Sequence, residues 1–184
     1  MNVIDTDLPG VRILEPKRYK DNRGYFYESF NELRFSDHQL GGPWVQDNQS
    51  FNLKCGTLRG LHFQRNPKAQ TKIVRCVVGS IYDVAVDLRK GSPTYLQYVG
   101  VELSDENDRQ LVVPQGFAHG FQTLTDKCIV MYKVDEFYSQ ECEQGVLWSD
   151  PEVNVKWPIP NPILSEKDAN SPLLKDVNNN FEFF

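Results

Sequence analysis

The residues best suited to proton chemistry lie in two short apolar runs, Arg59–Gln64 and Pro114–Phe121. Each run contains one of the three histidines of the chain, His62 in the first and His119 in the second. Histidine is the side chain whose unperturbed pKa lies closest to neutrality, so it exchanges protons under physiological conditions. The pattern predicts a ligand pocket lined by strands, in which proton transfer is the chemical step.

Period-two alternation assigns the side chains of the first run to opposite faces of a strand. In a regular strand, His62 shares its face with Leu58, Gly60 and Gln64, and Arg59 points the other way. Arg59 and His62 can therefore face one ligand only if Gly60 introduces a bulge or a kink.

Two other polar side chains occur on apolar strand faces. Lys72 shares its face with Val74 and Cys76, and Tyr132 shares its face with Val130. An inward-facing lysine is costly unless it is paired or functional. The structural alternatives are a lysine at a strand edge, a tyrosine in the core, and a core histidine whose ring nitrogens bind the backbone.

The elements that must position these residues are short β-strands separated by turn signals. Many short strands at spacings near ten residues predict an all-β sandwich or barrel. Gly79-Ser80 predicts a two-residue hairpin, Asn31 is a candidate N-cap for a helix over 31–40, and Ser165 with Asp168 indicates a short C-terminal helix. The predicted strands are Val11–Leu14, Tyr25–Phe30, Trp44–Asn48, Thr57–Phe63, Lys72–Val78, Ile81–Leu88, Tyr95–Glu102, Gln110–Val113, Phe117–Leu124 and Ile129–Val134.

Composition narrows the class of protein. With 184 residues, 40% hydrophobic and 24% charged, we expect one globular domain over residues 1–184. A net charge of −5 gives no support to nucleic-acid binding. No apolar run is long enough to span a membrane and no secretory signal is visible, so we expect no membrane partner. Four widely separated cysteines fit reduced thiols, which predicts a cytoplasmic protein.

Metal-dependent chemistry is disfavoured by the ligand pattern. The chain contains no His-x-His sequence, and no glutamate follows His62 within ten residues. Two histidines alone make a poor first coordination shell. We therefore expect chemistry without a metal. A metal-dependent dioxygenase and a non-catalytic binding protein remain as alternatives from other functional classes.

Taken together, the motifs resemble those of the dTDP-4-dehydrorhamnose 3,5-epimerases, over roughly residues 4 to 175. The resemblance implies a double-stranded β-helix, the jelly roll of the cupins, with short peripheral helices. Each motif alone is weak, but their order along the chain is specific. They are Asp21–Glu28, Gln46–Asn48, Leu58–Gln64, Tyr82–Arg89, Pro114–Phe121 and Ser165–Asp168.

The resemblance also implies a role for individual residues. His62 matches the general base, Asp168 the carboxylate that orients it, and Lys72 the lysine that stabilises the enolate oxygen. Tyr132 matches the acid that reprotonates the opposite sugar face, and Tyr138 the aromatic residue that stacks on thymine. The positions that match substrate contacts are Arg23, Phe26, Glu28, Gln46, Asn48, Arg59, His119, Glu143 and Lys167.

By this resemblance, the chain is expected to epimerise dTDP-4-dehydro-6-deoxy-glucose at C3 and C5 through an enolate, without a cofactor. A single-carbon epimerase or a ketoisomerase acting on a related nucleotide-4-keto-6-deoxy sugar is the alternative within the fold. The family places the Arg23–Glu28 segment in the site of a second subunit, which implies a homodimer. One departure is Gln49, which stands where the family usually has histidine.

Overall fold

The computed structural model describes residues 1–183, which form strands β1–β13, two short helices and one 3-10 turn. Helix α1 spans Glu32–Asp37, helix α2 spans Glu166–Ala169 and the 3-10 turn spans Leu174–Asp176. In chain order, the strands are Asn2–Asp5, Arg12–Glu15, Tyr19–Asp21, Gly24–Phe26, Gln46–Asn52, Leu58–Gln64, Lys72–Val78, Ser80–Asp87, Tyr98–Ser104, Gln110–Val113, Phe117–Thr123, Cys128–Val134 and Glu143–Gly145.

Two antiparallel sheets face each other. The first sheet has the strand order β1-β2-β10-β7-β12-β5, and the second has the order β13-β6-β11-β8-β9. Strands β3 and β4 form a separate hairpin. Sequential strands alternate between the sheets along much of the chain, as in a jelly roll, so the predicted all-β, cupin-like fold class is confirmed.

The main core lies between the two sheets. Val74 and Val130 come from the first sheet, Ala85 and Phe121 from the second, and all four belong to one buried cluster. Their inward direction follows from strand alternation, because residues two apart share a face. Polar residues on these same inward faces must therefore pair with one another or face a cavity.

Each sheet is also covered on its outer face. Phe35 from α1 and Leu40 pack with Ile73 and Val112 on the first sheet. On the second sheet, Leu61, Phe63 and Val86 pack under chain that follows β13, which includes Val153 and Phe181. The chain that follows β13 thus covers the outer face of the sheet that contains His62.

The sequence predictions for the helices are largely confirmed. Asn31 caps α1 by accepting from the backbone amides of Leu33 and Arg34. Ser165 caps α2 by accepting from the amide of Asp168. Helix α1 ends three residues earlier than predicted, at Asp37.

The hairpin prediction at Gly79-Ser80 is wrong. β7 pairs with β10 and β12, whereas β8 pairs with β9 and β11, so the turn connects the two sheets. Two adjacent β-strands joined by a glycine predict a hairpin on local grounds, but each strand here finds its partners elsewhere in the sandwich. No helix within residues 1–183 has the length and apolar character needed to cross a membrane.

Candidate active site

His62 and Asp168 form a close pair. The His62 Nε2 and Asp168 Oδ1 atoms are 2.6 Å apart, and the Ser165 hydroxyl donates to Asp168 Oδ2 at 2.8 Å. Burial opposes ionisation of Asp168, but the hydrogen bonds from His62 and Ser165 outweigh it and lower the pKa of the carboxyl group. Asp168 is thus an ionised partner that fixes the ring of His62.

A bulge in β6 brings Arg59 to the face of His62. His119 pairs with His62 and Phe121 pairs with Arg59, so three steps along β6 match two steps along β11. Gly60 lies in this bulge at φ +123°, and a Cβ atom there would lie 2.6 Å from the Cα of Gly120. The expectation that Gly60 provides a bulge is confirmed, and Arg59 donates to Asn52 at 2.7 Å.

Lys72 and Tyr132 approach from the opposite sheet. The register places Tyr132 between Asn48 and Val74, and the next inward row is Gln46, Val134 and Lys72. Three neighbouring strands therefore present two rows of side chains towards β6. The Lys72 Nζ atom lies 3.5 Å from the backbone oxygen of His62, which joins the two sheets at this point.

Burial changes the proton affinity of both side chains. It lowers the pKa of Lys72 to about 8, although the negative charges of Asp83 and Glu143 act in the other direction. Burial raises the pKa of Tyr132, while the charge of Arg59 opposes the increase. A phenol that keeps its proton and an amine that binds its proton weakly therefore lie in the same region.

These residues enclose a cavity of about 170 Å³. His62 lies on one wall and Lys72 and Tyr132 on the other, so a ligand there contacts both sheets. The residues lining the cavity are Gln46, Asn48, His62, Phe63, Gln64, Gln70, Lys72, Tyr132, Tyr138 and Glu143. A second cavity, of about 110 Å³, lies on the outer side of the first sheet and is not lined by His62 or Lys72.

Tyr138 stands at the mouth of the cavity. Its hydroxyl donates to Glu143 at 3.0 Å, and Lys167 also binds Glu143 at 2.8 Å. Burial opposes ionisation of Glu143, but the bonds from Lys167 and Tyr138 outweigh it and lower the pKa of its carboxyl group. Tyr138 is 56% exposed, which leaves its ring accessible to a planar ligand group.

His119 forms a second histidine–carboxylate pair beside the first. Its Nε2 atom lies 2.8 Å from Asp83 Oδ1, and both residues are buried. His119 stands directly opposite His62 in the sheet register. It therefore lies next to the cavity, although it does not form part of its lining.

Six predicted substrate contacts do not line the cavity of this chain. Arg59, His119 and Lys167 lie beside lining residues, whereas the other three are on the hairpin or near α1. Arg23 is on the β3–β4 hairpin and binds Asp21 at 2.6 Å, and the side chain of Phe26 is 71% exposed. Glu28 binds Arg34 at 3.2 Å, near the start of α1. Within one chain, the structure does not bring Arg23, Phe26 or Glu28 to His62.

The sequence analysis placed Gln64 on the face of His62 but gave it no role, and it overlooked Gln70 and Asp83. Asp83 lies in the family-like motif Tyr82–Arg89 but has no local feature that marks it as a partner for His119. Among residues 1–183, no group of three histidine, cysteine or acidic side chains is arranged to hold a metal ion.

The fold and this cavity define a cupin-like jelly-roll protein with a histidine–aspartate pair opposite a lysine and a tyrosine. The chain belongs to the dTDP-4-dehydrorhamnose 3,5-epimerase family, whose model matches residues 5–176. A relative with that name from Shigella flexneri is 53% identical over 179 residues, which cover 96% of this chain and 98% of the relative. The predicted family is therefore confirmed.

Solved structures agree with this assignment. The dTDP-4-dehydrorhamnose 3,5-epimerase of Bacillus anthracis, with TDP and PPi bound, has a TM-score of 0.92 at 53% identity and covers 94% of this chain and 99% of its own. An epimerase of Legionella pneumophila in complex with dTDP-4-keto-L-rhamnose has a TM-score of 0.91 at 43% identity, with coverages of 96% and 94%.

Proposed function

We propose that this protein converts dTDP-4-dehydro-6-deoxy-glucose to dTDP-4-dehydro-L-rhamnose by epimerisation at C3 and C5. The observation that supports this most directly is the His62–Asp168 pair facing Lys72 and Tyr132 across one cavity. A base and an acid on opposite walls are what inversion of a carbon centre requires. Sugar binding alone needs no such opposition.

In the proposed mechanism, His62 removes the proton from each carbon in turn. The C4 ketone makes the hydrogens on C3 and C5 acidic, because either carbanion is an enolate. When Asp168 accepts the Nε2 proton of His62, the lone pair lies on Nδ1. Asp168 then stabilises the imidazolium that forms and holds the ring in one orientation.

Lys72 and Tyr132 complete the proton transfer in this proposal. Lys72 stabilises the negative charge that develops on the C4 oxygen. Tyr132 donates a proton to the other face of the enolate, which inverts the centre. Burial raises the pKa of Tyr132, so its hydroxyl carries a proton at neutral pH and can donate it.

The nucleotide is proposed to bind beside the sugar, with the thymine ring on Tyr138. Arg23, Phe26 and Glu28 would reach this site from a second copy of the chain, making the active unit a homodimer. We further propose that the chain is a single domain and acts in the cytoplasm. Further substrate contacts are assigned to Gln46, Asn48, Arg59, His119, Glu143 and Lys167.

Deuterium exchange tests the reaction and the base together. The wild-type protein in D₂O should place deuterium at C3 and C5 of the substrate, as followed by NMR. His62→Ala should abolish exchange at both carbons, whereas His38→Ala should not, because His38 is an exposed residue after α1. Exchange by the wild-type protein at a single carbon would indicate a monoepimerase, and normal exchange in His62→Ala would exclude His62 as the base.

A further inference from the structure

The backbone on either side of Tyr138 is held by glutamine side chains. Gln64 Nε2 donates to the Phe137 oxygen at 3.1 Å, and Gln64 Oε1 accepts from the Ser139 amide at 2.7 Å. Gln46 Oε1 accepts from the amide of Tyr138 itself at 3.3 Å. Gln70 donates to the oxygen of Glu136 at 2.7 Å. We call residues 136–139, held in this way, the tyrosine turn.

Gln64 makes the most contacts to the tyrosine turn. It is 4% exposed, and its second amide proton donates to the Lys68 oxygen at 2.7 Å, so its amide is fully used. Apolar packing holds the turn only weakly, because Phe137 and Tyr138 are 59% and 56% exposed. The position of the turn therefore depends on polar contacts more than on packing.

The strand that bears the base thus also holds the tyrosine turn. Gln64 is on the face of His62 in β6, and its register partner in β13 is Glu143. Glu143 accepts from the hydroxyl of Tyr138. Gln64 fixes the backbone of Tyr138 and Glu143 fixes the tip of its ring, so two adjacent strands define where the ring stands.

We propose that Gln64 is a positioning residue that sets the Tyr138 ring for the nucleobase and so links nucleotide binding to the base-bearing strand. This inference rests on the proposed assignment of Tyr138 to the base of the nucleotide. Gln64 acts through Tyr138, so its removal weakens binding of the nucleotide and leaves the proton-transfer groups in place.

Gln64→Met removes the hydrogen bonds from residue 64 to the tyrosine turn and keeps the length of the side chain. Gln122→Met is the matched control, since Gln122 also binds one backbone segment through both amide atoms, at the Ile159 amide and oxygen. Ile159 is not part of the cavity lining. Both variants lose buried hydrogen bonds, and both are expected to melt at a lower temperature.

The two variants should differ in nucleotide affinity. Calorimetry with dTDP should give a dissociation constant raised about tenfold in Gln64→Met, a fraction of what a base–aromatic stack contributes. KM for the sugar nucleotide should rise in parallel, with a much smaller change in kcat. Gln122→Met should leave both constants within about twofold of the parent. Gln64→Asn, which is too short to reach both backbone groups, should repeat the loss if Gln64→Met does not fold.

A double-mutant cycle with Tyr138→Ala tests whether Gln64 affects dTDP affinity through Tyr138. If Gln64 acts through Tyr138, its substitution should not weaken dTDP binding further in the Tyr138→Ala background. An equal loss in both backgrounds, or a folded Gln64 variant with the affinity of the parent, would overturn the inference. If Tyr138→Ala itself left dTDP affinity unchanged, the assignment of Tyr138 would fail, and the inference with it.

Discussion

Lys72 has opposing effects on stability and on the proposed reaction. Its ammonium group is held among protein atoms beside the backbone of His62, where the charge is poorly solvated. The same position allows the charge to act on an oxyanion with little screening by water. At a residue of this kind, a gain in stability and a loss of activity should occur together.

Replacement of Lys72 by methionine should stabilise the fold at neutral pH. The folded-state pKa is about 8 against an unfolded value of 10.5, which corresponds to about 3 kcal/mol of unfavourable burial below pH 8. The unfolded chain binds more protons between these values, so the wild-type protein should gain stability as the pH rises from 8 to 10.5. The advantage of Lys72→Met should shrink over that range.

Urea unfolding at pH 7 and at pH 10 measures the difference in free energy of unfolding between the wild-type protein and Lys72→Met. Because all other titrating groups are shared, the change in the difference between the two proteins isolates Lys72. A pH-independent difference would contradict the assigned cause. Deuterium exchange by Lys72→Met should fall by about 10²–10³, the usual loss for one oxyanion donor.

Tyr132→Phe should separate proton removal from inversion. His62 and Asp168 are unchanged in this variant, so the substrate should still exchange its protons with solvent. Inverted product should fall by about 10² or more, because the general acid on the second face is absent. NMR of the product in D₂O distinguishes retained from inverted centres, and Tyr95→Phe, at a partly exposed position outside the cavity lining, is the control. Normal inversion in Tyr132→Phe would assign the acid role to another residue.

At the scale of elements, the site depends on two local structural features, a β-bulge and a helix cap. The bulge at Gly60 turns Arg59 to the face of His62, and the cap of α2 places Asp168 behind the ring. The Ser165 hydroxyl accepts from the backbone amide of Asp168 and donates to the carboxylate of Asp168. Neither Gly60 nor Ser165 lines the cavity, but both features help to determine the position of His62, which does.

Gly60→Ala should destabilise the protein by about 2 kcal/mol or more and should lower activity through β6. Its positive φ disfavours a Cβ atom, and that atom would meet the backbone of Gly120, which cannot move aside easily. Gly91→Ala is the control, because Gly91 also has a positive φ of +84° but nothing within 4 Å of a Cβ. It should lose about 1 kcal/mol.

Thermal melts and chemical denaturation measure the loss of stability in both variants. Gly91→Ala reports backbone strain alone, and Gly60→Ala reports backbone strain together with the clash against Gly120. Similar losses at the two positions would mean that the sheet adapts to the added methyl group. In that case the tight contact between β6 and β11 would not be what holds the bulge.

For the whole molecule, the exposed β3–β4 hairpin is the feature that a single chain does not explain. Tyr19, Tyr25 and Phe26 on this hairpin are each at least half exposed. In the proposed dimer, this hairpin would supply Arg23 and Phe26 to the partner's cavity. Each complete active site would then contain residues from both subunits of the dimer.

Mixing two inactive variants tests the shared site. Arg23→Ala and His62→Ala chains, unfolded together and refolded, should form heterodimers with one intact site, and about a quarter of wild-type activity should return in an equal mixture, by random pairing of symmetric subunits. Lys72→Met in place of Arg23→Ala is the mixing control, because Lys72 and His62 line the same cavity of one chain and no heterodimer would then hold an intact site. No recovery beyond the sum of the separate variants would show that each site is built within one chain.

Sequence reasoning predicted much of the fold because its signals were local. Period-two alternation gave most of the strands, and the Asn31 and Ser165 caps marked both helices, since these depend on neighbouring residues only. Strands Asn2–Asp5, Tyr19–Asp21 and Glu143–Gly145 were missed because they are short and mostly exposed or half-buried, with little apolar patterning. The motifs then gave the family, and the comparisons confirmed it.

The sequence by itself therefore determined the all-β class, the family and the residue types available for proton transfer. The tertiary structure decided which of those residues meet. It placed β7 and β8 in different sheets, brought Asp168 within 2.6 Å of His62 across 106 positions of the chain, and paired His119 with Asp83. The physical reason is that sheet pairing, burial and the pKa of Lys72 arise from contacts between distant segments, which no local pattern encodes.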